Sequence, residues 1–123
     1  MTKSVLDIGN CGPDHASISR MLKKHFSVDI TQADQTADAL ERLRQKKFDL
    51  ILVNRKLDCD YSDGLEVIKA IKADPEFATV PVMLVTNHDN YQQEAIAVGA
   101  EYGFGKLQLS DAGTHEKLGK FLS

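Results

Sequence analysis

Cysteine is scarce in this chain, and no apolar run approaches the roughly 20 residues needed to cross a membrane. Its two cysteines, Cys11 and Cys59, match neither CxxC nor zinc-finger spacing, so isolated reduced thiols and a cytoplasmic setting are expected rather than a disulfide scaffold. Positive charge is not in excess: 15 Lys and Arg stand against 18 Asp and Glu, a net charge of −3, which argues against direct nucleic-acid binding. No membrane partner is expected either. The opening Met1-Thr2-Lys3-Ser4 runs into a strand-like segment broken by Asp7 and Gly9, not into the apolar core of a signal peptide. The Gly9-Asn10-Cys11-Gly12-Pro13 loop lacks GxGxxG and Walker spacing, which removes the usual grounds for a nucleotide cradle. Linkers, internal repeats and low-complexity tracts are missing as well.

What is present is a core-forming composition, 42% hydrophobic over 123 residues, which suits one domain spanning 1–123. Val5–Ile8 reads as a first strand. Ile18, Met21 and Leu22 form the apolar stripe of a helix over about Asp14 to Lys24. Val28-Asp29-Ile30-Thr31 alternates like a half-exposed edge strand. Ala37, Leu40 and Leu43 line a second helix, with Thr36 as its expected cap. Leu50–Val53 and Val80–Val85 are almost continuously apolar, as parallel strands covered on both faces should be. Leu65, Ile68 and Ile71 mark a third helix ending near Asp74-Pro75, and two more follow over about Asn90–Val98 and Asp111–Leu122. Repeated strand–helix units with parallel strands imply a doubly wound α/β fold, a three-layer sandwich.

In such sheets the ligand site lies beyond the carboxyl ends of the strands. That pole collects the Gly9–Pro13 loop, Asn54 with its following loop, Thr86-Asn87-His88 and Lys106. Asn54 ends the run Phe48-Asp49-Leu50-Ile51-Leu52-Val53; Asp63-Gly64-Leu65-Glu66-Val67-Ile68, Pro81-Val82-Met83-Leu84-Val85-Thr86, Gly99-Ala100-Glu101 and Lys106 follow in order. This succession resembles the receiver domain of two-component response regulators over nearly the whole chain. The resemblance implies a flavodoxin-like (βα)5 fold with a five-stranded parallel sheet in the order 2-1-3-4-5. It also implies a non-enzymatic signalling role in a two-component or phosphorelay setting.

In that family an aspartate at the tip of the third strand accepts a phosphoryl group, and paired acids after the first strand help it hold magnesium. Here the acceptor position is Asn54, and the acid-pair positions fall on Gly9 and Asn10. Magnesium prefers charged oxygen ligands, so no metal and no cofactor are expected. Thr86 and Lys106 match the hydroxyl and lysine that contact the phosphoryl group. Read on its own, Thr86 is a strand-end hydroxyl able to cap nearby backbone, and Lys106 a cation whose partner would be Asp58, Asp60 or Glu101. The family's switching aromatic is replaced by Gly103, with Tyr102 and Phe104 expected on the opposite face, and the usual proline after the lysine is Leu107.

These departures suggest a degenerate, or pseudo-, receiver acting through protein–protein contacts without phosphorylation. Its expected partner is a signalling protein or a fused output domain. The partner surface would be the face of the fourth helix, fifth strand and fifth helix, where Tyr91, Tyr102 and Phe104 fall, and the same face could pair two copies of the chain. Two alternatives stay open: phosphorylation on a substitute acceptor, Asp58 or Asp60, and a flavodoxin-like domain binding a nucleotide or small ligand at the same pole. A thiol switch joining Cys11 and Cys59 with His15 or His88 is conceivable, and Asp7, inside a central strand, must be paired or neutral.

Overall fold

The computed structural model describes residues 2–123. Strands and helices alternate as β1 (Lys3–Ile8), α1 (Gly12–His25), β2 (Val28–Ala33), α2 (Thr36–Gln45), β3 (Leu50–Asn54), α3 (Gly64–Ala73), β4 (Val82–Val85), α4 (Asp89–Ala97), β5 (Glu101–Phe104) and α5 (Ala112–Leu122), with a 3-10 turn at Lys106–Gln108. The five strands pair in parallel in the order β2-β1-β3-β4-β5. This is the doubly wound, flavodoxin-like α/β sandwich.

Strand alternation sorts the core into two layers. Leu6, Ile8, Ile51, Val53, Val82 and Leu84 face α2, α3 and α4, meeting Leu43, Val67, Ile68, Ile71 and Ala95. Val5, Leu50, Leu52, Met83, Val85 and Phe104 face α1 and α5, meeting Ile18, Met21, Leu22, Leu118 and Leu122. Each such aliphatic side chain withdrawn from water contributes about 1.5–3 kcal/mol. Strands β3 and β4 are therefore apolar on both faces as far as Asn54, and β2, at the edge, is not. Among the described residues no helix is long and apolar enough to cross a membrane.

Local chemistry shifts some boundaries. Thr36 is the first residue of α2 rather than its cap; the Asp38 carboxylate reaches back to accept the N–H groups of Asp34 and Gln35, each at 2.8 Å. Strand β4 begins at Val82, because Pro81 has no N–H for the ladder and Val80 N–H turns back to the Phe77 carbonyl, 3.0 Å away. Asp63 caps α3 by accepting from Leu65 N–H at 3.0 Å. The described peptide bonds are all trans, including the one preceding Leu107.

Candidate functional site

The carboxyl ends of β1, β3, β4 and β5 converge on one pole, where the polar groups are engaged with their neighbours. Asn54, half-buried at the tip of β3, donates through Nδ2 to the Lys56 carbonyl at 2.7 Å and to the Gly9 carbonyl at 3.3 Å, and accepts from Arg55 N–H at 3.1 Å. The amide thus ties the end of β3 to the end of β1. A carboxylate could accept the third bond but could donate neither of the other two.

Gly9, expected at an acid-pair position, is a backbone requirement. Its φ of +79° lies where side-chain-bearing residues rarely go, and a Cβ there would overlap Leu57. Its carbonyl also accepts from Asp58 N–H at 2.9 Å. Asn10 is buried, 3% exposed, and turns inward; its Nδ2 donates to Asp7 Oδ1 at 2.5 Å and its Oδ1 has no protein partner.

The oddity at Asp7 resolves here. Its carboxylate, wholly buried, is gripped by Asn10 on one oxygen and by His15 Nδ1 at 2.6 Å on the other. Burial pushes its pKa above the usual carboxylate range, against the opposing pull of the His15 and Asn10 bonds. Lys106 pairs with Asp14 of the first turn of α1 at 2.7 Å, and with none of Asp58, Asp60 or Glu101. That bond holds the Asp14 carboxyl below its ordinary pKa.

Asp58 and Asp60 are both exposed in the loop after β3, where Asp60 accepts Ser62 N–H at 2.9 Å. Among the described residues no three His, Cys, Asp or Glu side chains stand together as a metal-ligating group. The pole therefore does not fit magnesium: Gly9 brings no side chain, Asn54 spends its amide on backbone, and the one nearby buried carboxylate is taken by His15 and Asn10. Instead, an opening of about 290 Å³ is lined by Arg55, Lys56, His88 and Lys106 with Asn54 and Thr86, and by no carboxylate. Its electrostatic sign suits an anion, not a cation.

Thr86 is buried, and its hydroxyl accepts His88 N–H at 3.3 Å at the entry to α4. The neighbouring α4–β5 contact holds a buried amide. Gln92 of α4 is 2% exposed; its Oε1 accepts Gly103 N–H at 2.8 Å, and its Nε2 donates to the Leu84 carbonyl at 3.0 Å and the Thr86 carbonyl at 3.3 Å. A Cβ at Gly103 would overlap the Leu84 carbonyl oxygen and crowd Gln92 Nε2 at 3.3 Å. Glycine at 103 lets β5 approach the Leu84 carbonyl of β4 closely, with the Gln92 amide packed beside it. That glycine was the only signal in the sequence pointing to a buried neighbour.

The aromatics divide. Phe104, expected on the partner surface, is fully buried against α1 and α5 and leaves that surface; its position at the end of β5 turns the ring into the sheet–helix layer. Tyr91 is half-buried, with the Arg55 guanidinium 3.9 Å from its ring centre. Tyr102 is 40% exposed, donates its hydroxyl to Asp89 at 2.5 Å, and carries Lys117 4.3 Å above its ring. Cys59 is exposed and contacts the Asp34 carbonyl, whereas Cys11 is half-buried beside α1; both are free thiols.

Comparison with known proteins agrees with this architecture. The family model for the response regulator receiver domain matches residues 14–110. The transcriptional regulatory protein ZraR of Klebsiella oxytoca is 32% identical over 115 residues, covering 85% of this chain and 25% of that protein. The chain thus spans about a quarter of that relative's length. Among solved structures, the signal receiver domain of a DNA-binding response regulator (merR) from Colwellia psychrerythraea 34H superposes with a TM-score of 0.79 at 24% identity, covering 96% of each chain. A response regulator from Thermotoga maritima superposes at 0.78 with 19% identity, covering 98% of each.

Proposed function

Since the chain belongs to the response regulator receiver family, we propose that it is a receiver whose output does not depend on phosphoryl transfer, a partner-binding module held in one state. The observation that carries this reading is the Gln92 clamp. Three hydrogen bonds from one buried amide join α4 to β4 and β5 at the place where the family's aromatic would move, and breaking them would leave buried polar groups unpaired. The neutral, self-satisfied Asn54 supports the same conclusion, because an amide is a far weaker nucleophile toward phosphorus than a carboxylate.

The partner is a signalling protein or an output domain meeting the face of α4, β5 and α5, with Tyr102 as the aromatic anchor and Tyr91 at its margin. A second copy of this chain is the other occupant to test. The setting is a cytoplasmic two-component or phosphorelay pathway. Intact mass after acetyl phosphate and magnesium should be unchanged. Partner recovery in a pull-down should fall with Tyr102→Ala and should not respond to beryllofluoride. A phosphoryl-sized mass gain mapping to Asp58 or Asp60, or recovery that depends on beryllofluoride, would overturn this reading.

A further inference from the structure

A second cavity lies away from the pole. It lies between α1 and α5, encloses about 450 Å³, and shares no lining residue with the opening around Asn54. Its size falls within the roughly 300–1,000 Å³ typical of small-molecule sites. Arg20, Lys24 and His25 approach it from α1 and His115 from α5, with hydroxyls from Ser17 and Ser110. Among the described residues no salt bridge engages Arg20 or Lys24, and the Arg20 guanidinium reaches only the Ser17 hydroxyl, at 3.5 Å. No carboxylate lines the cavity.

The two imidazoles are stacked, ring centres 3.7 Å apart and planes 28° from parallel. His115 is fixed in place by a 2.7 Å bond from Nε2 to the Leu109 carbonyl, which leaves its Nδ1 for a ligand. His25 is exposed, and its ring is a flat surface at the rim. Desolvation first, then His115 and Lys24, hold the His25 pKa below its ordinary value. Met21 and Leu109 add an apolar wall.

We propose that this cavity is a binding site for a small phosphorylated molecule with a planar ring, of the size of a nucleoside monophosphate. The phosphate matches the Arg20 fork, Lys24 and the Ser17 and Ser110 hydroxyls. The ring matches the imidazole pair and the Met21–Leu109 wall, which a bare inorganic anion would leave unfilled. A signalling module built this way would read a soluble metabolite on the α1–α5 side while its α4–β5 face stays clamped.

The test is a titration of the whole chain with adenosine 5′-monophosphate, followed by calorimetry and by NMR of the imidazole resonances. The ring signals of His25 and His115 should move and those of His88, at the pole, should not. Inorganic phosphate and adenosine should each bind at least tenfold more weakly than the nucleotide. Arg20→Glu with Lys24→Glu, both exposed and so harmless to folding, should weaken binding by tenfold or more, whereas Lys56→Glu at the pole should leave it unchanged. Phosphate binding as tightly as the nucleotide, shifts confined to His88, or an affinity indifferent to the double charge reversal would each overturn the proposal.

Discussion

Restoring the family's acceptor by Asn54→Asp should destabilise the domain at neutral pH. The substitution removes both donations from Nδ2, to the Lys56 carbonyl at 2.7 Å and the Gly9 carbonyl at 3.3 Å, while the bond from Arg55 N–H survives. Each lost hydrogen bond is worth roughly 0.5–1.5 kcal/mol, and a carboxylate oxygen would now face two carbonyl oxygens. Arg55, Lys56 and Lys106 around the opening offset part of that repulsion. The net loss should be about 2–3 kcal/mol, or roughly 6–12 °C in melting temperature for a domain of this size. The pH dependence has a definite sign. The introduced carboxyl group, when protonated, can still donate once, so its pKa is higher folded than unfolded. The deficit should be full above the folded pKa and should close as the pH falls below the unfolded value near 3.9. Urea unfolding of variant and wild type, compared in chelator at about pH 7 and about pH 3.5, reads both quantities. Magnesium should recover little, because Gly9 and Asn10 still contribute no charge. Equal midpoints at neutral pH, or a gap that widens on acidification, would refute the argument.

Gln92→Leu should cost about 2–4 kcal/mol by leaving Gly103 N–H and two carbonyls without their partner, and hydrogen exchange at Gly103 should speed at least tenfold by the same loss; unchanged exchange would show that the clamp is not what holds β5. Gly9→Ala should cost about 1–3 kcal/mol through its φ of +79° and the collision with Leu57, whereas an unchanged urea midpoint would mean the loop relaxes freely. Asp7 has its folded pKa raised by burial, so its contribution is complete below the unfolded pKa and is lost as pH rises through the folded one. Asp7→Asn should therefore match or exceed wild type by up to about 2 kcal/mol at mildly alkaline pH and lose that advantage in acid, since Asn10 can turn its unpartnered Oδ1 toward the new amide. A variant that melts well below wild type at pH 8 would show that the charged pair with His15 is net stabilising.

The sequence alone determined the order of elements, the two-sided burial of β3 and β4, the exposed edge at β2, and the absence of a carboxylate at positions 9, 10 and 54. Those features are local. Hydrophobic period and residue type are written in neighbouring positions, and parallel strands with crossover helices leave few ways to assemble. What polar groups do with one another was decided only by the tertiary structure. Asp7 finds His15 across the β1–α1 turn, Lys106 finds Asp14 from the far end of the chain, and Gln92 of α4 clamps Gly103 of β5. Phe104 is core rather than surface because it lies on the α5 side of β5, where Val85, Leu118 and Leu122 cover it, while Tyr102 on the same side stays 40% exposed. Gly9 looked like a lost acid, and the positive φ against Leu57 made it a backbone requirement. A hydrogen-bond partner or a close approach depends on where distant segments meet, and no local pattern encodes that meeting.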